Sequence, residues 1–174
     1  MAASYLVTGG AGFIGRQLCL ELLVHGNDVR VVDSLVPQVH CDGEAVLPGV
    51  EFFEGDLRDA DLLDSALDGV DGVFHLAAEV GVGQSMYEIA RYVGGNDLAT
   101  AVLLERLARR PVRRLVVASS MSVYGEGLYI DANGGRHGAV LRVVDAGPGW
   151  EPVAPDGGQL TPVPTDETKQ VNIA

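Results

Sequence analysis

An α/β chain built on a doubly wound parallel sheet is the fold this sequence predicts, and three observations predict it. Short apolar runs of strand length alternate with longer segments of helical period. A glycine-rich turn joins the first run to the first helix, and an acidic residue closes the second run. Strands separated by helices pair in parallel through crossover connections, and continuously apolar strands suit a sheet covered on both faces.

In chain order, Ser4 to Thr8 is a short apolar strand. Phe13 to His25 follows as a largely buried helix carrying Phe13, Leu18, Leu20, Leu22 and Leu23, and it ends at Gly26. Asp28 to Asp33 is the second strand. A loop over Ser34 to Gly49, with Pro37 and Pro48 as breakers, leads to a third strand at Val50 to Glu54. Asp59 to Leu67 is a helix whose early Asp59 and Asp61 suit its positive end. Gly72 to Leu76 is the fourth strand, apolar on both faces. Gln84 to Arg110 is a long helix broken near Gly94 and Gly95, and Arg106, Arg109 and Arg110 suit its C-terminus. Val112 to Ala118 is the fifth strand. From Ser119 the texture changes. Gly125 to Gly158 is dense in glycine, proline and charge, with Ala139 to Val144 its one strand-like run, and the tail from Pro162 has no clear period. The expected organisation is an incomplete doubly wound sheet over residues 1–125, followed by an irregular glycine- and proline-rich insert and tail over 126–174 that makes no separate domain.

The bulk properties narrow the function classes. A chain of 174 residues suits one domain, and 47% hydrophobic with 21% charged residues is a globular composition. A net charge of −12 argues against nucleic acid or an anionic membrane surface as partner, since both need clustered Lys and Arg. Cys19 and Cys41 are too few for a disulfide scaffold or a cysteine-built zinc site and read as free thiols of a reducing compartment. No run of 18 apolar residues and no basic leader is present, so a cytoplasmic protein is expected.

The chemistry concentrates in Leu6 to Gly15. Gly10, Gly12 and Gly15 spell G-x-G-x-x-G, while Gly9, Gly12 and Gly15 spell G-x-x-G-x-x-G. The turn follows a strand and opens a helix, and Asp33 lies 18 residues beyond Gly15 at the end of the next strand, which is the context of a Rossmann-type dinucleotide turn. Glycine is needed because a Cβ would hold the backbone N–H groups away from a pyrophosphate. Asp33 would accept hydrogen bonds from the adenosine ribose and repel a 2′-phosphate, which favours NAD over NADP. A solvated strand-end carboxylate is the plainer alternative.

These residues do not stand alone. Thr8-Gly-Gly-Ala-Gly-Phe-Ile-Gly15, Gly55-Asp-Leu-Arg-Asp59, His75-Leu-Ala-Ala78, Asn96 with Thr100, and Ser119-Ser-Met-Ser-Val-Tyr-Gly125 follow the order and spacing of the extended short-chain dehydrogenases. The chain resembles their NAD-dependent nucleotide-sugar epimerases and dehydratases over its whole length. Val80-Gly-Val-Gly-Gln-Ser-Met-Tyr87, the loop from Asp33 to His40 and Pro162-Val-Pro-Thr-Asp-Glu167 look most like the dTDP-L-rhamnose 4-epimerase branch.

The resemblance implies NAD as cofactor and a nucleotide-sugar substrate. It places Gly9, Gly12, Phe13, Ile14 and Gly15 at the pyrophosphate, Asp33 at the ribose, Asp56 and Leu57 at the adenine, and Ser34 among the cofactor-binding residues. Leu76, Ala77 and Ala78 line the nicotinamide side, with Asn96 and Ser119 also against the cofactor. Several of these residues have a second reading. Asp56 suits a helix N-cap, and Leu76 to Ala78 suit the end of a buried strand. Asn96 is ambiguous, and its neighbour Ala99 stands where the family usually has glycine. His75 on an apolar strand reads as a satisfied structural histidine. Ser120 matches the family's catalytic serine or threonine, donating to the sugar oxygen under oxidation, whereas as a serine after a strand it is a turn residue or cap. Tyr124 reads as a structural or substrate-lining ring. Asp131, His137 and Asp156 fit no metal-ligand spacing, so no metal is expected.

The family's proton chemistry rests on Tyr-x-x-x-Lys. Tyrosines stand at 5, 87, 92, 124 and 129, none is followed four residues later by lysine, and the one lysine is Lys169. The expectation is a C-terminally truncated member, inactive alone, with a homodimer or a complementing C-terminal fragment as partner. An exposed fifth strand would then give poor solubility or self-association. A non-catalytic NAD-binding interaction module is the alternative, and a methyltransferase using the same turn for S-adenosylmethionine is disfavoured by the serine segment after the fifth strand.

Overall fold

The computed structural model describes residues 2–40, 47–138 and 152–171. The expected strand at Ala139 to Val144 and the thiol of Cys41 lie outside these residues. The chain divides into two compact units, Met1–Ala118 and Ser119–Ala174.

The first unit holds five parallel strands, β1 (Ser4–Thr8), β2 (Asp28–Asp33), β3 (Glu51–Glu54), β4 (Gly72–His75) and β5 (Arg114–Val117), in the spatial order β3-β2-β1-β4-β5. β1 is central. Its Val7 pairs with Val31 of β2 on one side and Phe74 of β4 on the other, and Thr8 pairs with Val32 and His75. Chain order runs outward from β1 in both directions. The reversal leaves a crevice beyond the carboxyl ends of β1, β2 and β4, where open α/β sheets bind ligands.

Alternate residues of each strand feed two apolar layers. Leu6, Val32 and Val73 join Leu63, Ala66, Leu103 and Leu107 on one face. These come from α2 (Ala60–Ala66) and α5 (Ala99–Arg109), and α5 buries Ala99, Leu103 and Leu107 at fourfold spacing. Val7, Val29 and Val31 meet Cys19 of α1 (Phe13–Val24) on the other face. Each fully buried Leu or Val contributes about 1.5–3 kcal/mol over its exposed state, so these central strands hold the unit together.

Three features differ from the expected pattern. α1 buries one face only: Gly15 and Cys19 are buried, whereas Phe13 is 90% exposed. Its apolar residues span more of the helix than one sheet can cover. β5 is the exposed edge expected of the fifth strand, with Val116 and Val117 about half exposed, whereas β3 packs Phe53 against one apolar layer and Phe52 against the other. The long helix is not continuous from Gln84, because a short α3 (Val82–Ser85) and a turn precede α4 (Ile89–Tyr92). Gly94 and Gly95 do not break it. They lie in a π-helical turn, Val93–Leu98, that runs directly into α5, and such turns concentrate at functional sites.

The second unit contains a 3₁₀ turn (Met121–Tyr124) and a three-stranded antiparallel sheet of β6 (Leu128–Ile130), β7 (Arg136–His137) and β8 (Thr161–Val163), ordered β7-β6-β8. Tyr129, Ala154 and Leu160 form its small core. Lys169 is buried, with its ammonium donating to the carbonyl of Tyr124. Among the described residues no helix is long and apolar enough to cross a membrane.

Candidate functional site

The glycine turn leaves β1 at Thr8 and is pressed against the end of β4. Gly9 takes φ of +68° and donates to the Val32 carbonyl at 2.8 Å, and a Cβ there would lie 2.7 Å from Ala77 N. A Cβ on Gly15 would lie 2.3 Å from the Gly9 oxygen, so the first turn of α1 can sit on the loop only if residue 15 is glycine. Gly12 caps α1 without any side-chain bond to its first-turn N–H groups. Gly10 faces Val31 instead, and of the turn's glycines Gly9, Gly12 and Gly15 line the cavity. The G-x-x-G-x-x-G spacing is therefore the one that shapes the site.

That cavity has a volume of about 970 Å³, near the top of the range of about 300–1,000 Å³ for small-molecule sites. Its floor is the glycine turn with Phe13 and Ile14. One wall is Asp33, Ser34 and the loop to His40, continuing to Asp56, Leu57 and Arg58 after β3. The opposite wall runs from Leu76 through Ala77 and Ala78 to Val80.

Asp33 is not a solvated strand-end carboxylate. Its side chain is 9% exposed, and it accepts from the N–H of Ala11 and of Leu35, each at 3.0 Å, with His40 Nε2 at 3.5 Å. It thus ties the glycine turn to the loop after β2 and holds Leu35 at φ of +48°, a left-handed conformation uncommon for a branched residue.

Asp56 is not the helix cap. Asp59 is, accepting from the N–H groups of Asp61 and Leu62. The Asp56 carboxylate instead accepts from Arg58 N at 2.8 Å, from Arg58 Nε at 2.9 and 3.1 Å, and from Nη2 at 2.5 Å. Hydrogen bonding to this guanidinium holds Asp56 below the usual carboxylate range.

At the other end His75 is a satisfied structural residue. Thr8 Oγ1 lies 2.8 Å from His75 Nδ1, and His75 Nε2 lies 2.9 Å from Thr100 Oγ1. Asn96 does not line the cavity. Its side-chain amide is spent on Glu79, accepting from the N–H at 2.7 Å and donating to the carbonyl at 3.1 Å, which fixes the loop beyond Ala78. Ser119 and Ser120 belong to the second unit. Ser120 caps the 3₁₀ turn by accepting from Ser122 N at 3.1 Å, and its own O–H remains able to donate. Asp131 pairs with His137 at 2.8 Å, and Asp156 accepts from Gly158 N.

The sequence does not reveal the closure between the walls. Gln38 and Gln84 exchange amide hydrogen bonds at 3.0 and 3.3 Å, and Arg91 binds Gln38, Glu79 and Glu88. Gln38 is 46 positions from Gln84 and 53 from Arg91, and no local spacing relates them.

The family model described as "NAD dependent epimerase/dehydratase family" matches residues 5–136, so the likeness stops short of the whole chain. The UDP-glucose 4-epimerase of Streptomyces lividans is 38% identical over 129 residues, covering 72% of this chain and 38% of that protein. The dTDP-L-rhamnose 4-epimerase of Burkholderia thailandensis is 35% identical over 136 residues, covering 74% and 38%. Among solved structures, MoeE5 in complex with UDP-glucose and NAD is 40% identical with a TM-score of 0.61, covering 72% of this chain and 40% of that one. UDP-glucose 4-epimerase from Brucella ovis in complex with NAD gives 28% and 0.65, covering 78% and 42%. The chain thus spans about two fifths of the length of such relatives.

Proposed function

The chain belongs to the NAD dependent epimerase/dehydratase family, and from that membership we propose that it is the NAD-holding portion of a nucleotide-sugar 4-epimerase or dehydratase. The observation that carries the reading is the cavity at the carboxyl ends of β1 to β4, where an uncapped helix start, a buried carboxylate and a second carboxylate stand in the order a dinucleotide needs.

The residues fit the cofactor. Gly9 and Gly15 let the turn pack against Ala77 and the start of α1 pack against the turn, so that a pyrophosphate can meet the N–H groups of Phe13 and Ile14, where the positive end of α1 favours its charge. Asp33 and Ser34 take the adenosine ribose, Asp56 and Leu57 the adenine, and Leu76 to Ala78 the nicotinamide side. When bound, NAD supplies a reversible hydride acceptor for C4 of the sugar. Asn96 holds the Glu79 loop that continues that wall. Ser120 donates its hydroxyl to the reacting sugar oxygen. The acid/base tyrosine and its lysine are assigned to a complementing stretch of protein, because no Tyr-x-x-x-Lys stands in this chain. On this reading the chain binds NAD and does not turn over sugar nucleotide alone.

Calorimetric titration with NAD, NADP and S-adenosylmethionine tests it. NAD should bind, S-adenosylmethionine should not, and NADP should bind at least about tenfold more weakly, because a like-charge contact with Asp33 costs on the order of several kcal/mol. Absence of NAD binding at millimolar concentration overturns the reading.

A further inference from the structure

Leu57 is buried in the core beside Leu63 and Leu103, and this anchor leaves its neighbours Asp56 and Arg58 about half exposed on the cavity wall. An exposed ion pair of this kind contributes little to stability. Its geometry is nonetheless tightly specified. The backbone N–H, Nε–H and Nη2–H of Arg58 all converge on one carboxylate. The far side of the same guanidinium meets the π-helical turn, where a Cβ on Gly94 would lie 2.9 Å from Arg58 Nη1. Gly94 is buried and its φ is not left-handed, so the space it leaves, and not its conformation, is what the site uses.

A carboxylate has about four lone-pair sites, and three N–H donors from Arg58 leave about one for a ligand donor. β3 lies beyond β2 in the sheet, on the side away from the glycine turn. A dinucleotide with its pyrophosphate at that turn and its ribose at Asp33 therefore brings its base to Asp56. The donor an adenine offers is its 6-amino group.

We propose that Arg58, seated in the space left by Gly94, is a positioning residue that presents the Asp56 carboxylate to the 6-amino group of the cofactor's adenine. The inference rests on the cavity taking NAD. It makes the π turn part of the base-selecting subsite, although neither Arg58 nor Gly94 needs to touch the base.

The test compares NAD with nicotinamide hypoxanthine dinucleotide, in which a carbonyl oxygen replaces the amino group, by calorimetry on the unaltered chain, Arg58→Met and Gly94→Ala. The unaltered chain should prefer NAD by about tenfold or more, because the analogue sets a carbonyl oxygen against the carboxylate at position 6 and keeps a donor only at its N1–H, and a site built to accept a hydrogen bond rejects a ligand that does not donate there. In both variants NAD should weaken, the hypoxanthine analogue should change little, and the preference should fall to within about twofold of unity. Gly94→Ala reaches this result without removing a charge, so a general electrostatic effect of Arg58→Met is separated from loss of position. A preference kept in both variants, or an equal weakening of the two dinucleotides, overturns the positioning role. Binding of both dinucleotides with equal affinity by the unaltered chain overturns it while leaving the NAD reading intact, and binding of neither removes both.

Discussion

Thr8 Oγ1 and His75 Nδ1, side by side at the ends of β1 and β4, are 2.8 Å apart, and the surrounding bonds decide which of them donates. Thr8 Oγ1 accepts from the N–H groups of Leu76 and Ala77 at 3.2 and 3.3 Å, so its own proton goes to His75 Nδ1. Thr100 Oγ1 donates to the Asn96 carbonyl at 2.6 Å and accepts from His75 Nε2. The imidazole is therefore neutral, protonated on Nε2, and it links the glycine-turn strand to the π turn. Replacing it with leucine leaves the buried Thr8 hydroxyl and the half-buried Thr100 hydroxyl without this partner. His75→Leu should cost about 1–3 kcal/mol of stability per group left unsatisfied, read as a lower urea midpoint at unchanged slope.

The same buried imidazole makes stability depend on pH. Burial lowers its pKa from the ordinary 6.5, so between the folded and unfolded values the unfolded chain binds the extra proton. Stability should thus be unaffected by this group above about pH 7 and should fall as pH drops through about 6.5, the unfolded value. Urea midpoints across this range should show that slope, and in His75→Leu the histidine component should vanish.

Gly15→Ala probes the floor of the cavity. The added methyl meets the Gly9 oxygen at 2.3 Å and the Gly10 Cα at 2.6 Å, both backbone atoms with no rotamer to change. Either α1 moves off the loop or the loop opens. The expected cost is about 1–3 kcal/mol, as for other overpacked sites, together with loss of NAD binding measured by titration of the folded variant. Gly26→Ala is the control: its Cβ meets nothing within 4 Å, although its φ of +74° makes a smaller destabilisation expected, with NAD binding retained.

The order of strands and helices in the first unit follows from period, and the glycines with Asp33 follow from spacing, because both depend on chain neighbours. Asp59 as the true cap, three residues beyond Asp56, is a local question that two nearby aspartates leave open. The π turn was not legible. Two glycines signal a break, and only Arg58 and Glu79 packed against them show why they are kept in a continuous helix. The roles of Asn96 and Arg91 are similarly hidden, since both reach Glu79 only through the tertiary meeting of their helical segment with the loop after β4. Ser120 takes the cap reading, since its oxygen accepts from Ser122 N.

The pair Gln38 and Gln84 gives the last prediction. β2 and β4 flank β1, so the loop after β2 and the short α3 after β4 stand on either side of the glycine turn, and the reciprocal amide bonds between them bridge its carboxyl end. A cofactor lying on that turn would be released only when the bridge opens. Both amides are exposed, so their bonds add little to folding but still contribute to the opening step, at about 0.5–1.5 kcal/mol for each bond. Gln38→Ala should speed NAD dissociation by up to about tenfold in stopped-flow displacement, with a much smaller effect on association. Gln84→Ala should act in the same direction but less, because Arg91 still binds Gln38, and the double variant should be no faster than Gln38→Ala alone, which already removes the pair and the Arg91 contact. Additive effects of the two substitutions on the dissociation rate would show that the glutamines act separately and not as one bridge.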